Sequence, residues 1–207
     1  MAVPMRHRWL NRLLAGTLCV VAVCVVQQAA VLMAADWRSS ETRHTLGKWS
    51  RGVLAHTPAE WEQARESLQA ALALTPRDAT LHEAMAQLYS VQGRALWTTG
   101  EAGSPEVAAY EEAVRHQQMS LQLRPQYAMG WANLALVLYA TNSPEDEVFE
   151  AWREAARLGP REDSVTQTLI SIATEIWAIA PSDVQQWCEV REPGLSARMD
   201  AAAKGKS

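Results

Sequence analysis

From Leu13 to Ala35 the chain carries no charged residue. At about 1.5 Å of rise per helical residue this stretch spans roughly 34 Å, enough to cross the ~30 Å hydrocarbon layer of a bilayer. Trp9 and Trp37 bracket it, where amphipathic indoles suit a membrane interface, and Arg6, Arg8 and Arg12 precede it. By the positive-inside rule residues 1–12 are expected to form a cytoplasmic basic tail, and 13–35 a transmembrane signal-anchor helix. The implied location is the inner (cytoplasmic) membrane, crossed once, with the remaining chain extracytoplasmic. Removal as a secretory leader is not expected. Met33 stands two residues before Ala35 and Gln28 two before Ala30, where cleavage needs small side chains.

The chain beyond the apolar stretch is predicted to fold. Apolar residues make up 48% of the chain and charged ones 20%, which excludes both a disordered tail and a polytopic membrane protein. Ala and Leu dominate and there is a single Phe, so helix is favoured throughout. All 23 acidic residues, and all but three of the 19 basic ones, lie from Asp36 onward. The net negative charge this leaves excludes a nucleic-acid partner. Three cysteines make no disulfide framework: Cys19 and Cys24 fall about 7.5 Å apart on different faces of one helix, and Cys188 reads as a small buried hydrophobe.

Helix starts are marked by a hydroxyl cap followed by proline: Thr57-Pro58-Ala59-Glu60, Ser104-Pro105-Glu106 and Ser143-Pro144-Glu145-Asp146. The hydroxyl accepts from an unpaired backbone N–H, proline has none to leave unpaired, and the acids favour the positive end of the helix dipole. Helix ends are set by Pro76, Pro125, Pro160 and Pro181. Within these limits Ala64, Leu68 and Ala71 form one apolar stripe. Leu81 to Gly93 forms a second helix, with Gly93 expected to permit a tight turn.

The order of first helix, glycine turn, second helix and proline resembles the tetratricopeptide repeat. Its first-helix signature is similar to Trp131-Ala132-Asn133-Leu134-Ala135, followed by a second helix through Val148, Trp152 and Ala155 to Pro160. In the middle unit Ala113 takes the small position, while Gln117 and Ser120 depart from the usual apolar residues. The resemblance implies an all-α fold: the N-terminal transmembrane helix, a linker over 36–44, about three helical hairpins of a short α-solenoid over 45–160, and capping helices over 161–199. Val165, Leu169, Ile172, Ile176 and Ile179 are the expected stripe of the cap, His82 and His116 are expected on the helix surface, and 200–207 is expected to be a disordered tail. The stretch Trp131 to Glu162 and the overall layout also resemble small anchored repeat proteins of bacterial exopolysaccharide assembly. That likeness implies an accessory role in polymer synthesis or export.

No chemistry-bearing motif stands out. His82-Glu83 lacks the second histidine of a zinc protease helix, and phosphate loops, nucleophile elbows and paired cysteines do not occur. The expectation is therefore no catalytic residue, no metal and no cofactor. The acids Glu111-Glu112 and Glu145-Asp146-Glu147 are explained by helix starts.

The expected function is protein binding by a membrane-anchored scaffold. Partners would be membrane-associated proteins, with the lipid bilayer contacted through residues 13–35. By the resemblance, the binding groove is lined by first helices, which nominates Glu83, Gln87, Ser90, Asn133, Leu136 and Tyr139. Lysine and asparagine pairs that clamp a C-terminal carboxylate in some family members do not occur there. A Gly- and Ser-containing insertion over Thr98 to Ser104 makes Trp97 at its base a candidate loop anchor, although the core is its expected place. Two other function classes remain open: an enzyme or enzyme subunit whose site only the fold assembles, and an accessory factor of cytochrome maturation.

Overall fold

The structure is a computed structural model and describes residues 6–98 and 104–204. All regular secondary structure among the described residues is helical: α1 (Arg6–Ser50), α2 (Pro58–Leu74), α3 (Ala79–Thr98), α4 (Ser104–Leu123), α5 (Ala128–Ala140), α6 (Glu145–Leu158), α7 (Asp163–Glu175), α8 (Ser182–Arg191) and α9 (Leu195–Lys204). α1 is long and apolar enough to cross a membrane.

α1 does not stop where the uncharged stretch stops. It runs on through residues 36–44, so the expected linker is helix. The reason is a buried stripe that continues past Ala35 through Ser39 to Leu46 and Trp49. Ser39 is polar at a fully buried position, and its hydroxyl is satisfied by the Ala35 carbonyl of the same helix at 3.0 Å. α1 ends at Ser50, where Gly52 turns the chain with φ +69°, a conformation glycine adopts without strain. Leu54 lies past this turn and is exposed, outside any first helix.

α2 starts with a reciprocal cap. The Glu60 amide donates to Thr57 Oγ1 at 3.2 Å, and the Thr57 amide donates to Glu60 Oε2 at 2.7 Å. At α3 the Asp78 carboxylate accepts from the amides of Thr80 and Leu81. At α6 the expected Ser143 cap does not form. The Ser143 hydroxyl is taken by Thr141 Oγ1 at 2.7 Å, and Asn142, at φ 55°, turns the chain instead.

Gly93 is not a turn. α3 passes through it to Thr98, and a Cβ there would meet the Tyr110 ring at 2.7 Å, which is why the position is glycine. The glycine lets α4 approach α3, and the expected insertion over Thr98 to Ser104 falls largely on residues 99–103, outside the described ones.

Each helix packs on the next. The C-terminal half of α1 lies on α2 and α3, α3 on α4, α4 on α5, α5 on α6 and α7, α7 on α8, and α8 on α9. Two apolar clusters result. One joins Ala35, Leu46 and Trp49 to Leu68, Ala71, Met85 and Leu88. The other is centred on Trp152, with Leu169, Ile172, Val184 and Cys188. Tyr89 touches both. Complete burial of side chains such as Leu68 stabilises the fold by roughly 1.5–3 kcal/mol each. Trp152 also donates its indole N–H to the Leu169 carbonyl at 2.9 Å, which ties α6 to α7.

Buried polar residues are handled by backbone carbonyls. Gln117 donates to Gly130 O at 3.0 Å and Ser120 to Ala79 O at 2.9 Å, so the departures from an apolar pattern in α4 are interhelical ties. His82 is buried and not on the surface. It faces His116 with the two Nδ1 atoms 3.0 Å apart. Of the C-terminal stripe, Val165, Leu169 and Ile172 are buried and Ile179 is exposed. The tail is helical as far as Lys204, its helix anchored by buried Leu195, and residues 205–207 lie outside the described ones.

Candidate functional site

A cavity of about 280 Å³ opens where the end of α1 meets α3, α4 and α5. On α3, Glu83, Gln87, Ser90 and Arg94 recur every three or four residues and so share one face. On α5, Asn133, Leu136 and Val137 face the same space, with Ser50 of α1 at one side and Gln117 of α4 deep within. Five of the six nominated groove residues are thus brought together: Glu83, Gln87, Ser90, Asn133 and Leu136. Tyr139 does not line the cavity, because it falls two residues past the α5 face that does. Trp97 is 66% exposed one turn beyond Arg94, not in the core.

Close approach of the helices shapes the floor. A Cβ on Gly130 would stand 2.9 Å from both the Leu121 and Tyr127 side chains, so glycine is what lets α5 sit against α4. At the α1 side, Gln87 Nε2 donates to Ser50 Oγ at 2.8 Å and Arg94 Nη1 donates to the Ser50 carbonyl at 3.0 Å. These bonds cap the unpaired C-terminal end of α1 with a cation. Sequence reasoning missed Ser50 and Arg94. Four-residue spacing from Ser90 put Arg94 on the nominated face, but the expected turn at Gly93 hid it.

The charges inside the cavity are largely spoken for. Glu83 pairs with Arg124 at 2.6 Å, and Arg124 lies over the Tyr127 ring at 4.6 Å. Tyr127 is held above its ordinary phenol range by burial first and by Glu83 second. Ser90 donates to Ala86 O within its own helix. The Asn133 amide bonds to no other described residue, and Leu136 beside it is 46% exposed. The cavity therefore offers neutral hydrogen-bonding groups, an apolar shelf and one cation, Arg94, at its rim.

The histidine pair occupies a different face of α3, toward α4. His82 Nε2 donates to the Pro76 carbonyl at 3.1 Å, which leaves its Nδ1 to accept from His116 Nδ1–H. Burial and the facing His82 push His116 down to about 4. Burial likewise pushes the Cys188 thiol up to about 11, the environment of a packing residue. No cluster of three or more metal-ligating side chains occurs among the described residues.

Comparison with known proteins adds no relative: no family model matches the chain, and no curated protein matches it.

Proposed function

We propose that the chain is a single-pass, membrane-anchored scaffold of the tetratricopeptide type, with α1 as anchor and the α1–α3–α5 face as the partner-binding surface. The repeat reading is supported by the order of packing. α3 pairs with α4 and α5 with α6, while α1 meets α3 and α5 meets α7, which leaves a face lined by alternate helices. The Trp131 to Ala135 signature lies within α5.

The observation that carries the binding role is the cavity itself. It gathers uncommitted Asn133, exposed Leu136 and rim Arg94, groups suited to holding a chain by hydrogen bonds, apolar contact and charge. Because α1 is continuous, Ser50 stands about 22 Å beyond Ala35 along the helix, so the cavity would be held at a fixed height above the bilayer. The inner membrane, an extracytoplasmic domain and accessory work on an envelope polymer complete the reading. Location and orientation rest on the basic tail of Arg6, Arg8 and Arg12 ahead of the apolar stretch, and on the readiness of a long domain to cross despite Arg38, Arg43, Lys48 and Arg51 behind it. The polymer role rests on the resemblance of Trp131 to Glu162.

The test is purification of the full-length chain from native membranes, wild type beside Asn133→Arg and Leu136→Glu. A partner retained by wild type and lost from both variants, with helicity and Tm preserved, is expected. Identical retention by all three would remove the cavity from the binding surface.

A further inference from the structure

The apolar part of α1 is exposed all along its length except near its end, where Val31 and Ala34 are half-buried and Ala35 is buried. Ala35 belongs to the cluster that the antiparallel α2 packs against. Ser67 bonds the Arg38 carbonyl and accepts from Thr42 Oγ1 at 3.2 Å. From Ser67 to Leu74, α2 travels about 10 Å back toward the start of α1. Leu74 therefore reaches a level between Val31 and Ala35, at the end of the uncharged stretch. Leu72 and Leu74 pack on the cluster that contains Ala35.

The sequence of α2 agrees with that position. Between Glu66 and Arg77 it carries no charge, and Ala70, Ala73 and Pro76 are exposed. Charge returns only at Arg77, just after the helix ends. A helix end that must share a level with a membrane span can present no charged side chain there, and a cation immediately beyond it can reach a phosphate.

We propose that the C-terminal end of α2 is a second bilayer contact: an uncharged wedge, Ala70 to Pro76, seated in the interfacial layer beside α1, with Arg77 at the lipid phosphates. This rests on the reading of α1 as a membrane anchor. The domain is then docked by two helices and not tethered by one, which sets its tilt as well as its distance.

The contact is tested on the full-length chain with Cys19→Ala and Cys24→Ala. Cys188, fully buried, stays. Single cysteines at Ala73, Val25 or Leu54 carry an environment-sensitive fluorophore. The protein is reconstituted in phosphatidylcholine–phosphatidylglycerol vesicles with nitroxide on a shallow acyl carbon. The expected result is a blue-shifted label at Ala73 that loses most of its emission to the lipid nitroxide, a lipid-quenched label at Val25, and a label at Leu54 quenched only from the aqueous phase. Quenching at Val25 without quenching at Ala73 overturns this contact and leaves the anchor standing. No lipid quenching at either position overturns both. A blue-shifted Ala73 label that lipid does not quench means that protein covers the face, and this too overturns the proposal.

Discussion

The two halves of α1 are one continuous helix with opposite relations to their surroundings. From Leu13 to Ala34 large apolar side chains point outward on every side, as Leu14, Leu18, Val21 and Met33 do. From Ala35 to Ser50 the apolar residues collapse to a stripe, while Asp36, Arg38 and Glu41 mark the other side. A helix that is apolar all round suits a lipid surrounding, and a striped one suits packing against protein. The difference teaches that the apolar half and the domain half are not separate modules here. One rod serves both, so the orientation of the span would become the orientation of the domain.

The sharpest way to break the comparison is to remove the same side chain from each half. Leu46→Ala, at a position with no exposure, is expected to lower domain stability by about 2–5 kcal/mol, read from urea unfolding followed by circular dichroism in detergent. Leu18→Ala, at a position 71% exposed, is expected to change the same transition by less than about 0.5 kcal/mol. Equal losses would mean that the exposed half contributes to the fold.

A charge probes the other direction. Val25→Arg, in the middle of the uncharged stretch, is expected to disfavour membrane insertion by about 3 kcal/mol while leaving the domain transition in place. Alkaline extraction of membranes reads it, as a shift of the variant into the soluble fraction. Extraction that matches wild type would detach membrane binding from this half of α1.

The halves also differed in how plainly the sequence announced them. Leu13 to Ala35 needed only the absence of charge. The domain half was hidden because its stripe is sparse and includes Ser39, a polar residue that becomes comfortable only by bonding its own helix. The same physics divides the rest of the chain. Local chemistry was legible: the Thr57 cap, the helix stops before Pro76, Pro125 and Pro160, and the Trp131 to Ala135 face that carries Asn133, whereas α7 ends at Glu175, ahead of the stop expected at Pro181. Features that depend on a neighbour were not. Gly93 looks like a turn until the Tyr110 ring lies against it, and His82 and His116 look solvated until α3 and α4 bring them face to face. Glu83, Gln87, Ser90, Asn133 and Leu136 come to one cavity because α3 and α5 turn the same face to it. Ser50 and Arg94 were not legible, because finding them required α1 to continue beyond its apolar stretch.

Acid gives the mildest test of the same contrast. The uncharged stretch from Leu13 to Ala34 holds no histidine or carboxylate, whereas the domain holds the histidine pair. His116 faces His82 and Tyr89 from α3, and Glu112 and Arg115 from its own helix. Burial and His82 hold it down to about 4. In the unfolded chain it would titrate near 6.5. Above that value both states are neutral and the fold keeps its full stability. As pH falls from about 6.5 to about 4, the unfolded chain takes a proton that the folded pair resists, so stability is lost across this window and the loss is complete at its lower end. Solvent around the half-buried His116 screens the cost to less than about 1 kcal/mol. The carboxylates add their own acid sensitivity, so the informative quantity is the difference between wild type and His116→Gln. Wild type should lose more Tm than the variant between pH 7 and 4.5, with alkaline extraction unchanged in both. Parallel Tm curves would mean that the pair is not the acid-sensitive element of the domain half.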